Sequence, residues 1–433
     1  MIKRGVNMKF YLMHKDIQVA SMNINGQNGL TVSLFDISAP EHLPVGVNYR
    51  DGKADKDALD QWWKYRCIPE QRKGIDDALI KLKAQTPMAL AVRGNAVSLT
   101  DKYWIKPVDS DLKWADVDFF ENPHFSDPVR MSLMGQKWDN CKKIIDYRSP
   151  DTTTNGNMPK FWKYEEGRIF LVKGGSNPYK QQPFNEVIAS AIMRRLDIPH
   201  VEYSLYNDEE PYSSCDCFVT PETEFVSAWQ IYNTLDKPYG VSVYRHFLDC
   251  CEKLGIKDTV HAIDKMLVLD NIILNEDRHL NNFGFLRNPD TLEWIGAAPI
   301  FDSGTSLRYN RYHGNIYWNE DSYYCKPFKD AHKDQINLVS SFDWIDFSNL
   351  DGLDDEVRDI FSAEQAKSYI DEKRCGAIIE MVEQNIECIR ELAQIQPDGK
   401  SADRQGNDVL QDAAQSYETE EISEQFMAEK DKV

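Results

Sequence analysis

An aspartate and an asparagine stand five positions apart in the segment NEDRHLNNFGF, residues 275–285. The segment follows a largely apolar run, residues 259–274, and precedes a strand-like stretch. A kinase catalytic loop uses this spacing, because phosphoryl transfer needs a carboxylate to orient the attacking hydroxyl and an oxygen ligand for magnesium. We therefore predict that Asp277 is the catalytic base and Asn282 a metal ligand. His279 is predicted to act in catalysis by bracing the loop, with a hydrogen-bonded core imidazole as the alternative.

Three further charged residues occur in the order that a kinase site requires. Lys173 ends the strand-like segment RIFLVK, Glu186 lies near the start of a helical pattern, and Asp302 follows in IFDSG. A lysine can contact the phosphates of ATP, a glutamate can hold that lysine, and an aspartate can ligate Mg²⁺. Taken alone, each residue also has a purely structural explanation. Lys173 could be a solvated surface lysine, Glu186 could favour the helix dipole, and Asp302 could belong to a turn. Their joint order with Asp277 and Asn282 predicts a phosphotransferase that uses ATP and Mg²⁺.

The phosphate-binding loop is less clearly marked. No GxGxxG motif occurs, and the candidate is SPDTTTNGNMPK, residues 149–160, just before the strand pair that carries Lys173. Gly156 and Lys160 are its candidate phosphate-binding residues, and an ordinary polar loop is the alternative. The three consecutive threonines of this loop are the candidate autophosphorylation sites, Thr152, Thr153 and Thr154.

Hydrophobic periodicity predicts an α+β chain. Near the N-terminus, KFYLM, IQVASMNI and LTVSLFDI alternate like strands, ALDQWWKYR and GIDDALIKLKAQ are helical, and ALAVRGNAVSL is interpreted as a hairpin turning at RGNA. Further on, FWKY pairs with RIFLVK, and a helix with Asn185 as its N-cap follows. HVEYSLYN and YSSCDCFVT are two more strands, and FGFL pairs with LEWIG. If the chain has the lobe order of a kinase, adenine is expected at the backbone where YSSCDCFVT ends, at Phe218, Val219 and Thr220.

Composition limits the partners of the chain. The 433 residues carry a net charge of -20, which disfavours direct contact with nucleic acid or anionic membranes. The nine cysteines show no zinc spacing and indicate reduced thiols, and neither a signal peptide nor a membrane span is evident. We expect a cytoplasmic protein. Its predicted parts are an α+β extension (1–145), an ATP-binding N-lobe (146–222), a helical C-lobe (223–400) and an acidic, disordered tail (401–433).

The segments NEDRHLNNFGF, IFDSGTS, VK and NEVIASAIMRRLDIP together resemble the HipA-like serine/threonine kinases, toxins of bacterial toxin–antitoxin pairs. The resemblance covers roughly residues 145–395. It implies a bilobal kinase-like fold with ATP between the lobes, and a helix-turn-helix antitoxin through which DNA would be contacted. By position it assigns ATP binding to Lys173, support to Glu186, catalysis to Asp277, and magnesium to Asn282 and Asp302. The family's phosphate loop has a serine that can be autophosphorylated, and here threonines replace it.

Two other classes stay open at this point. The DRHxxN pattern also resembles the catalytic loop of phosphatidylinositol kinases, although acidic residues interrupt the basic residues between 307 and 333. A pseudokinase that binds nucleotide without transfer would need fewer of the charged residues. Neither the protein substrate nor the role of residues 1–145 follows from the sequence.

Overall fold

The computed structural model of the chain describes residues 7–123, 125–138, 145–316 and 324–395. Its N-terminal part is built on an antiparallel sheet in the order β3-β2-β1-β6. The strands are β1 (Asn7–His14), β2 (Ile17–Asn25), β3 (Thr31–Phe35) and β6 (Tyr103–Pro107), with a ribbon of β4 (Tyr49–Arg50) and β5 (Lys53–Ala54). The helices are α1 (Lys56–Tyr65), α2 (Ile75–Lys81), α3 (Pro87–Arg93), α4 (Trp114–Val117) and α5 (Asp127–Leu133). The first three predicted strands and first two predicted helices are confirmed.

The hairpin predicted in ALAVRGNAVSL is wrong, because its first half is helix α3. Thr86 caps this helix, its side chain accepting a hydrogen bond from the Ala89 N–H at 3.0 Å, and Pro87 occupies the first turn. Threonine followed by proline is a helix-start signal, and alanine and leucine favour the helix that follows. The glycine interpreted as part of a strand turn, Gly94, instead ends the helix.

A second antiparallel sheet, in the order β7-β8-β10-β9, forms the middle of the chain. Its strands are β7 (Lys160–Glu165), β8 (Arg168–Gly174), β9 (Tyr203–Tyr206) and β10 (Tyr212–Asp216), and helix α6 (Gln182–Arg195) packs beside them. The strand predictions are confirmed here, but Asn185 is not the N-cap of α6. The helix begins three residues earlier, and the buried Asn185 amide donates to the carbonyls of Gly304 (2.8 Å) and Ser306 (2.7 Å).

The C-terminal part is mainly helical. A small sheet of β11 (Glu224–Ser227), β12 (Gly284–Arg287) and β13 (Trp294–Ala297) confirms the predicted FGFL–LEWIG pairing. The helices are α7 (Ala228–Tyr232), α8 (Val243–Lys253), α9 (Thr259–Ile272), α10 (His332–Gln335), α11 (Leu353–Phe361) and α12 (Glu372–Ile395). Helix α9 is buried on most faces, as predicted, and passes through the largest apolar core. The predicted acidic tail lies outside the described residues.

A buried polar network joins the N-terminal part to the small sheet. Glu224 accepts hydrogen bonds from Arg287 (2.5 Å) and pairs with His14 (3.0 Å), and Arg287 also donates to the Tyr103 hydroxyl. Burial alone would raise the pKa of Glu224, but His14 and Arg287 outweigh it and hold the pKa at about 2. Because these groups come from both sides of the junction, the N-terminal part is packed onto the remainder of the molecule.

Candidate active site

Lys173 lies between two carboxylates that come from different elements. From β8, its ammonium donates to Glu186 of α6 and to Asp302 Oδ1 at 2.5 Å. Burial alone would lower the pKa of Lys173, but Asp302 and Glu186 outweigh it and raise the pKa above its usual value. Desolvation would raise the pKa of Asp302, but Lys173 and then Lys160 lower it instead. Lys173 and Asp302 are therefore both charged at neutral pH.

Backbone contacts fix the second oxygen of Glu186. The Ser303 N–H donates to Glu186 Oε2 at 2.9 Å, so one carboxylate holds both the lysine and the loop that carries Asp302. Asp302 itself has a φ of +58°, in the left-handed region, which aspartate tolerates better than most residues. Of the three charged residues predicted from their order in the sequence, Lys173 therefore contacts the other two.

The loop after α9 is tied down by Arg278, whose side chain is fully buried. Its guanidinium pairs with Asp270 of α9, with Nε 3.0 Å from Oδ2. It also donates to the carbonyl of Asn282 at 2.9 Å and to the carbonyl of Phe301. A further bond reaches the Ser303 hydroxyl at 3.1 Å. One arginine thus joins the end of α9, the candidate catalytic loop and the segment that carries Asp302.

Asp277 and His279 face outward on either side of this buried arginine, each with a side chain that is 41% exposed. The Asn281 N–H donates to His279 Nδ1 at 3.2 Å, so Nδ1 carries no proton. Burial lowers the pKa of His279 despite the opposing effect of Asp277 and Asp302, so a neutral ring has its proton on Nε2. That nitrogen is 4.0 Å from Asp277 Oδ2. This separation is too long for a hydrogen bond, and the predicted catalytic role of His279 stays a prediction.

The side-chain amide of Asn282 is oriented by a hydrogen bond through its nitrogen. Its Nδ2 donates to the Asp277 carbonyl at 2.9 Å, and its backbone carbonyl accepts from Arg278. With the Asp302 carboxylate, the Asn282 amide oxygen supplies the hard oxygen donors that Mg²⁺ prefers when phosphates complete its shell. No cluster of three or more His, Cys, Asp or Glu side chains suited to a metal occurs within the described ranges. The donors present therefore fit a metal shared with nucleotide rather than an all-protein site.

The candidate phosphate loop lies beside Lys160, at the start of β7. Gly156 has a φ of +98°, and a Cβ at this position would collide with the Lys160 ammonium. Burial lowers the pKa of Lys160 to about 8, with Asp302 opposing this effect and Lys173 adding to it. Arg72 of the N-terminal part also holds the loop, because its guanidinium donates hydrogen bonds to the carbonyls of Gly156 (2.8 Å) and Thr154. The positive φ therefore favours glycine at this position, and Lys160 interacts with the same carboxylate, Asp302, as Lys173 does.

The three candidate autophosphorylation sites are buried in this conformation. A 3-10 helix (Pro150–Thr153) contains the first two. Each hydroxyl donates to a backbone carbonyl: Thr152 to Ser149 (2.8 Å), Thr153 to Val97 (2.8 Å) and Thr154 to Pro150 (2.7 Å). Phosphorylation of any of them stays a prediction, and it would require this segment to open.

The segment expected to meet adenine follows β10. Val219 is buried, and the Phe218 ring stacks on Phe301, with centroids 5.3 Å apart, directly before Asp302. The Thr220 N–H is already used by the Thr223 hydroxyl at 2.8 Å. Phe218 and Val219 are thus the better placed of the three residues, and their role stays a prediction.

Sequence patterns missed two residues of the site. Arg72 lies in a polar stretch more than 80 residues before the carbonyls that it contacts, and no local signal marks it. Lys326 donates to Asp277 Oδ1 at 2.9 Å, although the sequence placed it only among scattered basic residues. A signal did exist for the anchoring role of Arg278, because Asp270 directly follows the apolar stretch MLVL, residues 266–269, in a helix that was expected to be buried.

Comparisons with known proteins give one family and several relatives. The family model described as the HipA-like C-terminal domain matches residues 149–386. The serine/threonine-protein kinase CtkA of Helicobacter pylori is 27% identical over 180 residues, a match that covers 35% of this chain and 50% of that kinase. The chain thus spans about half the length of this curated relative.

Two solved structures are similar in part. The crystal structure of the Helicobacter pylori proinflammatory kinase CtkA covers 55% of this chain and 95% of its own, with 19% identity and a TM-score of 0.42. A chain from the Shewanella oneidensis toxin–antitoxin complex of HipA, HipB and operator DNA covers 89% of this chain and 99% of its own. Its identity is 14% and its TM-score 0.47. No described helix is long and apolar enough to cross a membrane.

Proposed function

This chain belongs to the family of proteins with a HipA-like C-terminal domain, and we propose that it is an ATP- and Mg²⁺-dependent serine/threonine protein kinase. The observation that carries the proposal is the contact of Lys173 with both Glu186 and Asp302. The segment that carries Asp302 is in turn bonded to Arg278 of the Asp277 loop. A lysine, its glutamate and a metal-binding aspartate are the parts that a kinase assembles around the phosphates. The relative CtkA, named as a serine/threonine kinase, supports the acceptor class.

In the proposed reaction the substrate hydroxyl oxygen forms a bond to the γ-phosphorus of ATP. The bond from that phosphorus to the bridging oxygen breaks, and its electron pair leaves with ADP. Asp277 accepts the hydroxyl proton, while Lys173 and Lys160 offset charge on the phosphates. Asn282 and Asp302 would hold the magnesium ion, which supplies further charge neutralisation when bound. Residues of this chain thus orient both reactants and hold the proton that is released.

We propose a cytoplasmic location and, from the family assignment, a helix-turn-helix antitoxin as partner. The net charge of -20 supports DNA contact only through such a partner, since an acidic surface repels phosphates. Seven cysteines within the described ranges, from Cys67 to Cys375, are free thiols, as a reducing compartment favours.

The experiment that tests the proposal measures transfer of label from γ-labelled ATP with Mg²⁺ to the protein itself and to a cell lysate. Asp277→Asn should lower transfer by about 10²–10⁴-fold with little change in ATP affinity, because this side chain is not expected to hold ATP. Asp302→Asn should weaken metal-nucleotide binding as well as transfer. The exposed Asp290→Asn, in the turn between β12 and β13, serves as the matched control and should behave as wild type.

The outcome separates the proposed kinase from its alternatives. Protein label that persists in Asp277→Asn would contradict the assigned base. ATP binding without any protein label would contradict a protein kinase and favour a lipid or small-molecule acceptor, or a pseudokinase.

A further inference from the structure

A lysine from a distant segment contacts the carboxylate proposed to act as base. Lys326 lies 49 residues after Asp277, and its ammonium donates to Asp277 Oδ1 at 2.9 Å. The other carboxylate oxygen, Oδ2, has His279 Nε2 at 4.0 Å. The two oxygens of Asp277 therefore have different surroundings. Oδ1 accepts a hydrogen bond from a charged group, whereas His279 lies beyond hydrogen-bonding distance of Oδ2.

The turn that carries Lys326 is held from beneath by one buried amide. Gln335 Nε2 donates to the Lys326 carbonyl at 2.8 Å, and Gln335 Oε1 accepts from the backbone N–H of Phe328 (2.9 Å) and Lys329 (3.2 Å). Gln335 and Phe328 are both buried, and Phe328 belongs to the main apolar core. A turn anchored in this way fixes where the lysine stem begins, and the Lys326 side chain, 37% exposed, reaches Asp277 from that point.

We propose that Lys326 is a positioning residue for phosphoryl transfer, an inference that rests on the proposed kinase function. Its charge-assisted hydrogen bond fixes the Asp277 carboxylate by Oδ1 and leaves Oδ2 to meet the substrate hydroxyl. The loop DRHLNN contains no lysine of its own, so this cation comes from the segment that leads into α10. A carboxylate that is already oriented meets the hydroxyl without a search among rotamers, which raises the rate of the chemical step rather than the affinity for ATP.

The same contact has one competing interpretation, in which the lysine occupies the position of the substrate and blocks the base. The two interpretations predict opposite changes in the rate of transfer when the lysine is removed. Removing a positioning lysine slows transfer, whereas removing a blocking lysine speeds it.

The test measures kcat and the KM for ATP with Lys326→Met, Lys326→Arg, Asp277→Asn and the double variant Lys326→Met/Asp277→Asn. We expect Lys326→Met to lower kcat by about 10- to 100-fold while the KM for ATP changes less than about twofold. Lys326→Arg should recover most of the loss because it keeps the charged donor. The double variant should be no slower than Asp277→Asn alone, since a residue that acts through the aspartate has nothing to orient once the base is gone.

Lys15→Met is the matched control. Lys15 makes an ion pair of similar length with Asp290 (2.8 Å) on the surface, and its loss should leave both kinetic constants unchanged. Unchanged or faster transfer by Lys326→Met, a higher KM without a lower kcat, or additive losses in the double variant would each overturn the inference alone. A wild-type protein that binds ATP but phosphorylates no acceptor would overturn the proposed function and this inference with it.

Discussion

Lys160 provides a direct test of the candidate phosphate loop, because its charge changes within an accessible pH range. Burial lowers its pKa to about 8, with Asp302 opposing the effect. A lysine with this pKa is about three-quarters charged at pH 7.5 and about one-tenth charged at pH 9. If only the charged form binds the phosphates of ATP, the Kd for ATP should weaken about eightfold over this range. The sign follows from linkage, because ATP favours the protonated lysine and is bound less well as that proton is lost.

The assay is a calorimetric titration of Mg-ATP at half-unit steps from pH 7.5 to 9, a range above the titration of the terminal phosphate. Lys160→Arg keeps its charge throughout and should show no slope, and Lys160→Met should bind weakly at every pH. Lys163→Met, on the outer side of the same strand, is the control and should retain the wild-type slope. An equal slope in Lys160→Arg, or a flat wild-type profile, would refute the assignment of Lys160 to the phosphates.

Two further predictions concern arginines that act at a distance from the chemistry. Arg72→Met should raise the KM for ATP about tenfold with a smaller change in kcat, because the carbonyls of the phosphate loop lose a charged hydrogen-bond donor. Steady-state kinetics measure both constants, and an unchanged KM would contradict the prediction. Arg278→Met should lower the free energy of unfolding by about 3–5 kcal/mol, since it leaves Asp270 buried and uncompensated. Urea denaturation measures that loss, and an unchanged midpoint would show that Asp270 does not depend on this arginine.

Local patterns predicted most of the elements that position the site. Alternation of apolar residues marked β1, β2 and the β7–β8 pair, and an apolar run marked α9, because burial imposes those periods on the sequence. The order of Lys173, Glu186, Asp277 and Asp302 then placed them on elements that do meet. The residue types were informative because a phosphate site constrains both charge and order.

Local patterns failed where tertiary contacts or overlapping signals decide the outcome. The segment of helix α3 also fits a hairpin pattern, because valine and a glycine-containing turn suit strand pairs, but the threonine–proline start signal ahead of it belongs to a helix. The position of Asn185 resembled an N-cap, yet its amide bonds to carbonyls more than 115 residues away. The contacts of Arg72 and Lys326 depend on the fold alone, since each spans 49 residues or more.

The loop after α9 depends on Asp277, Arg278 and His279, and glycine or proline, which are common in turns, could not replace them. Their side chains divide between two environments: Arg278 is fully buried, whereas Asp277 and His279 are both 41% exposed. Because the arginine bonds to Asp270 and to backbone carbonyls on two segments, the loop cannot shift without breaking a buried ion pair. That anchoring ties the loop that carries Asp277 to the segment that carries Asp302. A more flexible turn would leave the same aspartate without a defined position, and a base in phosphoryl transfer acts through its position.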